Sequence, residues 1–167
     1  MPGGQAVLKF LGTLLVLGSA AGWWLRRRKE MWLPVRIGRA LTEDLAVLRF
    51  QIEVCRTPLP RILDEFTGLG KSWFWGPLAE QLAREAGPPA VCWRDAAVGL
   101  PGELGRFLVP VGRMLDGGGE ALARAVEETR EELAGFLREE TVRLTAQGRV
   151  NAALCFGGAG LVVLVLL

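Results

Sequence analysis

The sequence predicts an all-α protein: a compact bundle of about six helices over residues 26–149, flanked by transmembrane helices over 1–25 and 150–167. Three observations predict it. No segment alternates apolar and polar residues long enough to make a strand, apolar residues in the middle of the chain recur at intervals of three and four, and charge is confined to that middle. All 18 acidic residues, and every Lys and Arg except Lys9, lie between Arg26 and Arg149 in a chain of 167 residues, a length suited to one ordinary domain.

The first element is the run FLGTLLVLGSAAGWWL from Phe10 to Leu25, which reaches 20 residues when extended back to Ala6 and then includes only Lys9 as a charge. At about 1.5 Å per residue such a helix spans roughly 30 Å, the thickness of a bilayer's hydrocarbon core. A cleaved signal peptide is the competing reading, since Gly18 to Gly22 supplies small residues. A secretory signal carries its basic residues before the apolar run, however, and here Arg26, Arg27, Arg28 and Lys29 follow it. That cluster predicts an uncleaved anchor whose basic side stays in the cytoplasm. Trp23, Trp24 and Trp32 fit the interfacial belt.

The middle elements follow in order. Leu41, Leu45, Leu48, Ile52 and Cys55 form one stripe on a helix over 35–55, with Arg49 and Glu53 four apart beside it. Pro58 disfavours helical geometry in the residue before it, so this helix is expected to stop at Arg56 or Thr57, with Thr57 capping the next. Short helices are expected over about 58–67, 72–86 with Ser72 as cap, 88–98 ended by Gly99, and 101–115, the last kinked or divided at Pro110. After the break at Asp116-Gly117-Gly118-Gly119, a long helix over 120–147 carries Leu122, Val126, Thr129, Leu133, Phe136, Leu137 and Leu144 along one face. Its opposite face carries Glu127, Glu128, Arg130, Glu131, Glu132 and Arg138.

The last element, Val150 to Leu167, is 18 residues without a charge, and Leu161 to Leu167 is apolar all round. Arg143 and Arg149 precede it and nothing basic follows. A glycolipid-anchor tail would require export of the middle segment, which the basic cluster at Arg26 opposes. The expected topology is a hairpin with both ends outside and the bundle inside. Gly18 with Gly22, and Ala153 with Gly157, are small-residue pairs that allow close helix packing within one chain or between copies.

The absence of His removes Ser-His-Asp and Cys-His catalysis and His-ligated zinc. A net charge of +2, with Arg residues interleaved with acids, gives no basic groove for nucleic acid. Cys55, Cys92 and Cys155 lack CxxC spacing and read as structural thiols. The adjacent pairs Asp64–Glu65 and Glu139–Glu140 point about a third of a turn apart and read as surface residues. The glycines at 117–119 do not make a phosphate loop, because a helix precedes them and Glu120 follows. No metal or cofactor is expected. Acidic runs are usually solvated helix faces; the alternative is a partner surface formed by Glu127, Glu128, Glu131 and Glu132 with the loop at Gly117 and Gly118, its carboxylates complementing a basic partner.

In the order of these features the chain resembles the stage III sporulation protein AB family. The points of likeness are the first span with Lys9 and Leu11-Gly12, the helix LTEDLAVLRFQIEVCRTPL from Leu41 to Leu59 with its Thr57-Pro58-Leu59 corner, Trp93 in VCWRDAAV, Gly112 and Leu115, and the C-terminal GGAGLVVLVLL. The resemblance implies a non-catalytic platform subunit in the membrane complex that links mother cell and forespore, on the mother-cell side of the outer forespore membrane. Its helical domain is similar to those of type II secretion platform proteins. The partners so implied are a secretion-type ATPase and the other stage III channel subunits, with self-association open. The alternative class is a small membrane enzyme acting on a lipid-borne substrate through acids such as Asp44, Glu53 or Asp95 at the membrane face, which would need those carboxylates to open together on a cleft.

Overall fold

The computed structural model describes residues 3–68, 73–85, 87–116 and 118–166; within the terminal helices the side chains of 3–10, 13, 16, 17, 159, 162, 163, 165 and 166 are outside that description. Among the described residues there are six helices and no strand: α1 (Gly3–Glu53), α2 (Leu59–Gly68), α3 (Trp75–Ala83), α4 (Pro89–Val98), α5 (Leu104–Arg113) and α6 (Gly119–Leu166). The chain divides into two compact units, one formed by Met1–Leu33 with Glu140–Leu167 and the other by Pro34–Glu139. The second is narrower at both ends than the expected 26–149.

Within Pro34–Glu139, α1 and α6 run antiparallel. Gly38 lies against Leu137, Arg49 pairs with Glu127 at 2.9 Å, and Ile52 approaches Gly119. The two predicted stripes are the faces buried here: Leu41, Leu45 and Leu48 on α1, and Leu122, Val126, Thr129, Leu133 and Leu137 on α6. Phe136 is half-buried and meets Phe107 of α5 with ring centroids 5.1 Å apart.

The short helices enclose an aromatic cluster that periodicity did not reveal. Phe74, Trp75 and Trp93 are buried with Phe66; Trp75 is 4.5 Å from Phe66 and 4.9 Å from Phe74, and Phe74 is 4.8 Å from Trp93, between ring centroids. Burying each large side chain contributes about 1.5–3 kcal/mol before entropy is subtracted. Both indole N–H groups are satisfied: Trp93 Nε1 donates to the Leu108 carbonyl at 2.7 Å and Trp75 Nε1 to Asp44 Oδ2 at 2.7 Å. Backbones come close where α4 meets α5. A Cβ at Gly105 would stand 2.2 Å from the Ala97 carbonyl oxygen, and one at Gly112 would stand 2.6 Å from Trp93 Cδ1, so the α4–α5 pair requires glycine at both places.

Several boundaries differ from expectation. α1 ends at Glu53 rather than at Arg56 or Thr57, and Cys55, expected on the stripe, is exposed beyond the helix end. Arg56 takes a left-handed φ of 49°. Thr57 does not cap α2: the Pro58 carbonyl accepts from Ile62 N–H at 3.3 Å, while the Thr57 hydroxyl donates to Gln51 Oε1 at 2.8 Å. α3 is shorter than 72–86, and Ser72 lies outside the described residues. α5 begins at Leu104 and continues through Pro110 without dividing. Pro110 removes one backbone N–H from the helix ladder at a position where Pro110 and Arg106, four residues before it, are both exposed residues.

The remaining unit holds the predicted spans. No helix among the described residues is long and apolar enough to cross a membrane; parts of both apolar runs fall on side chains outside the description. Its described surface is rich in large apolar groups, with Leu14, Leu15, Leu154, Leu161 and Leu164 between 61% and 74% exposed. Leu144 is buried and Trp24 meets Phe156 at 6.3 Å between ring centroids.

Candidate functional site

The corner after α1 is locked from its own side chains. Pro58 prevents α1 from continuing, the left-handed Arg56 reverses the chain, and Thr57 N–H donates to the Gln51 carbonyl at 3.0 Å. Gln51 in turn donates from Nε2 to Glu65 Oε2 of α2 at 3.3 Å. Facing this corner is the start of α6, where Gly118 has a φ of 89° that favours glycine and its carbonyl accepts from Leu122 N–H at 3.1 Å.

Between corner and helix start lies a cleft of about 870 Å³ whose charged lining is Arg49, Glu53 and Arg56 from the α1 side and Glu120, Arg124 and Glu127 from α6. A shallower depression of about 420 Å³, lined by Gly118, Glu120 and Arg124 among others, adjoins the same loop. Both signs of charge are interspersed. Such a surface suits a polar protein partner more than a small anion, because Arg49 is already held by Glu53 and Glu127 and the lining carries as many carboxylates as guanidiniums.

The predicted acidic set divides. Glu127 is half-buried and bonded by Arg130, whose Nε donates to Oε2 at 2.9 Å, and by Arg49. Those two guanidiniums, Arg130 first, hold its carboxyl down at about 2, and in return the Arg49 and Arg130 values are raised. Its charge is therefore committed within the bundle. Glu128, Glu131 and Glu132 are exposed and do not line the cleft. Gly118 is exposed beside the cleft, whereas Gly117 lies outside the described residues. The structure thus brings Glu127 together with the glycine loop and leaves the other three acids outside the cleft.

Arg49, Arg56 and Arg124 are the cleft residues that sequence reasoning did not gather. A signal existed: Glu120, Arg124 and Glu127 share one helical face at i, i+4 and i+7, as do Arg49 and Glu53 at i and i+4.

The carboxylates considered for an enzyme are dispersed in role. Asp44 is buried and accepts from Trp75, Glu53 is exposed and pairs with Arg49 at 3.0 Å, and Asp95 is exposed beside Arg94 at 3.4 Å. Among the described residues no group of three His, Cys, Asp or Glu is placed to hold a metal ion. Cys92 is buried with Sγ 3.6 Å from the Gly87 carbonyl, Cys155 is half-buried and Cys55 exposed.

No protein-family model, curated protein or solved structure matches this chain.

Proposed function

We propose that the chain is a non-catalytic membrane platform: its two apolar ends cross the bilayer, its bundle lies on the cytoplasmic side, and the bundle docks a secretion-type ATPase within a sporulation channel linking mother cell and forespore. The sporulation context and the ATPase rest on the resemblance to the stage III sporulation protein AB family. The observation that carries the membrane part is the outward display of large apolar groups on helix ends whose only charged side chain is Lys9: Leu11, Leu14 and Leu15 near one terminus and Leu154, Leu161 and Leu164 near the other. Scattered exposed leucines need no explanation, but a concentration of them on two such segments does. Lipid is the cover that suits such surfaces, since it asks for no polar face.

Support for docking comes from the mixed-charge cleft at the Thr57 corner and the exposed trio Glu128, Glu131 and Glu132. The test is co-purification of the tagged full-length chain with the secretion-type ATPase from sporulating cells, beside a variant carrying Glu128→Lys, Glu131→Lys and Glu132→Lys. The proposal expects association with the parent chain and its loss in the variant. No association with either, from membranes that retain the chain, contradicts the docking role; undiminished association of the variant removes the acidic trio from it.

A further inference from the structure

The unit formed by the two chain ends contains a cleft of about 620 Å³ between α1 and α6, unlike the mixed-charge one described above. Its walls are largely apolar, with Trp24, Met31 and Trp32 on one side and Leu144, Ala152 and Leu154 on the other, and its charged lining is Arg27, Arg28 and Arg149 without a single carboxylate. Trp24, Arg27, Arg28 and Met31 stand at i, i+3, i+4 and i+7, so one face of α1 presents both the rings and the guanidiniums. Arg26 and Lys29, from the same basic cluster, do not line it. The Arg28 guanidinium lies over the Trp24 ring, 5.2 Å from its centroid.

Arg27, Arg28 and Arg149 have no ion-pair partner among the described residues, and no carboxylate lines the cleft they share. Three guanidiniums that line one cleft beside an apolar wall, with no carboxylate among them, suit an anion with several acceptor oxygens. The apolar wall continues on both helices into the apolar ends, so the anion that suits this place carries hydrocarbon on one side. A volume of about 620 Å³ falls within the range of roughly 300–1,000 Å³ usual for small-ligand sites.

We infer that this cleft binds the phosphodiester head of an anionic phospholipid, with Arg27, Arg28 and Arg149 around the phosphate and Trp24 and Leu154, on the membrane side of those guanidiniums, against the first carbons of the acyl chains. The inference rests on the membrane part of the proposed function. Basic pockets between membrane helices on the cytoplasmic side are suited to such head groups, and a phosphate held by Arg from both helices ties one chain end to the other. The Arg26 and Lys29 charges, which lie off the cleft, remain available to set orientation.

The test uses native mass spectrometry of the full-length chain released from detergent, titrated separately with phosphatidylglycerol, phosphatidylcholine and free glycerol phosphate. The expected result is a saturable phosphatidylglycerol adduct, preferred over phosphatidylcholine by ~10-fold, and lowered ~10-fold by Arg27→Gln/Arg28→Gln/Arg149→Gln but less than about twofold by Arg26→Gln/Lys29→Gln. Equal binding of the two lipids, or a triple variant that binds like the parent, overturns the inference. Glycerol phosphate binding as tightly as phosphatidylglycerol overturns the lipid as occupant and leaves a soluble phosphate site. Helix content by circular dichroism checks that the variants remain folded. Alkaline carbonate extraction of membranes is the separate readout for the underlying reading: a chain that is extracted refutes the membrane platform, whereas one that resists extraction but shows no lipid preference refutes this site alone.

Discussion

Asp44 shows how a residue that looks chemically useful in the sequence can be committed to the fold. It sits on α1 among buried leucines and accepts the Trp75 indole N–H at 2.7 Å, tying the long helix to the aromatic cluster. Removing one partner of a buried hydrogen bond leaves the other desolvated, at a cost of about 1–3 kcal/mol. Asp44→Ala is therefore expected to destabilise the full-length chain by that amount in urea unfolding, and Asp44→Ala/Trp75→Phe to couple strongly, costing less than the sum of the single changes. Strict additivity would show that the bond contributes nothing. Glu127 supplies the pH dependence. Its folded value of about 2 lies below the ordinary 4.5, so its contribution is present above about pH 4.5 and is lost as the pH falls toward 2. With partly exposed partners the contribution is about 1 kcal/mol at most. The gap between the unfolding midpoints of the parent and Glu127→Gln should hold above about pH 4.5 and narrow as the pH falls from there toward 2, and a gap that stays constant down to about pH 2 would count against the ion-pair assignment.

At the level of the helices, much was legible. The stripes on α1 and α6 follow from spacing alone, because burial of a long helix against a neighbour selects residues every three or four positions. Leu45 and Leu133 are fully buried as their places in those stripes require. The run Trp73-Phe74-Trp75 was opaque for the opposite reason: three consecutive aromatics have no period, and only the fold separates the exposed Trp73 from the buried Phe74 and Trp75. Glu127 was grouped with a solvated face because its angular position lies at the edge of the apolar stripe; Arg130, three residues on, holds it first, and Arg49, distant in sequence, adds a second partner that spacing could not reveal. The close approach at Gly105 was equally invisible, since it depends on the Ala97 carbonyl of another helix. Gly105→Ala places a Cβ 2.2 Å from that oxygen, which belongs to backbone and cannot swing away. The expected cost is about 1–3 kcal/mol, measured as a lower unfolding midpoint of the full-length chain, and a midpoint equal to the parent's would show that α4 and α5 separate freely.

For the molecule as a whole, the sequence's partition of charge carries the functional account. The all-α class and the six helices were legible because apolar residues recur at helical spacing over most of the middle segment and nowhere alternate long enough to make a strand. The mixed-charge cleft was only partly so, since α1 and α6 bring Arg49 and Glu127 together across most of the domain's sequence. The proposed platform depends above all on which side of a membrane the bundle occupies. Cys55 gives a direct probe, being exposed at the corner, with Cys92 and Cys155 replaced by alanine so that one thiol remains. A membrane-impermeant maleimide should leave Cys55 unlabelled in intact bacterial spheroplasts and label it once the membrane is opened. Labelling of Cys55 from outside intact spheroplasts would contradict the cytoplasmic placement of the bundle and the docking of an ATPase there.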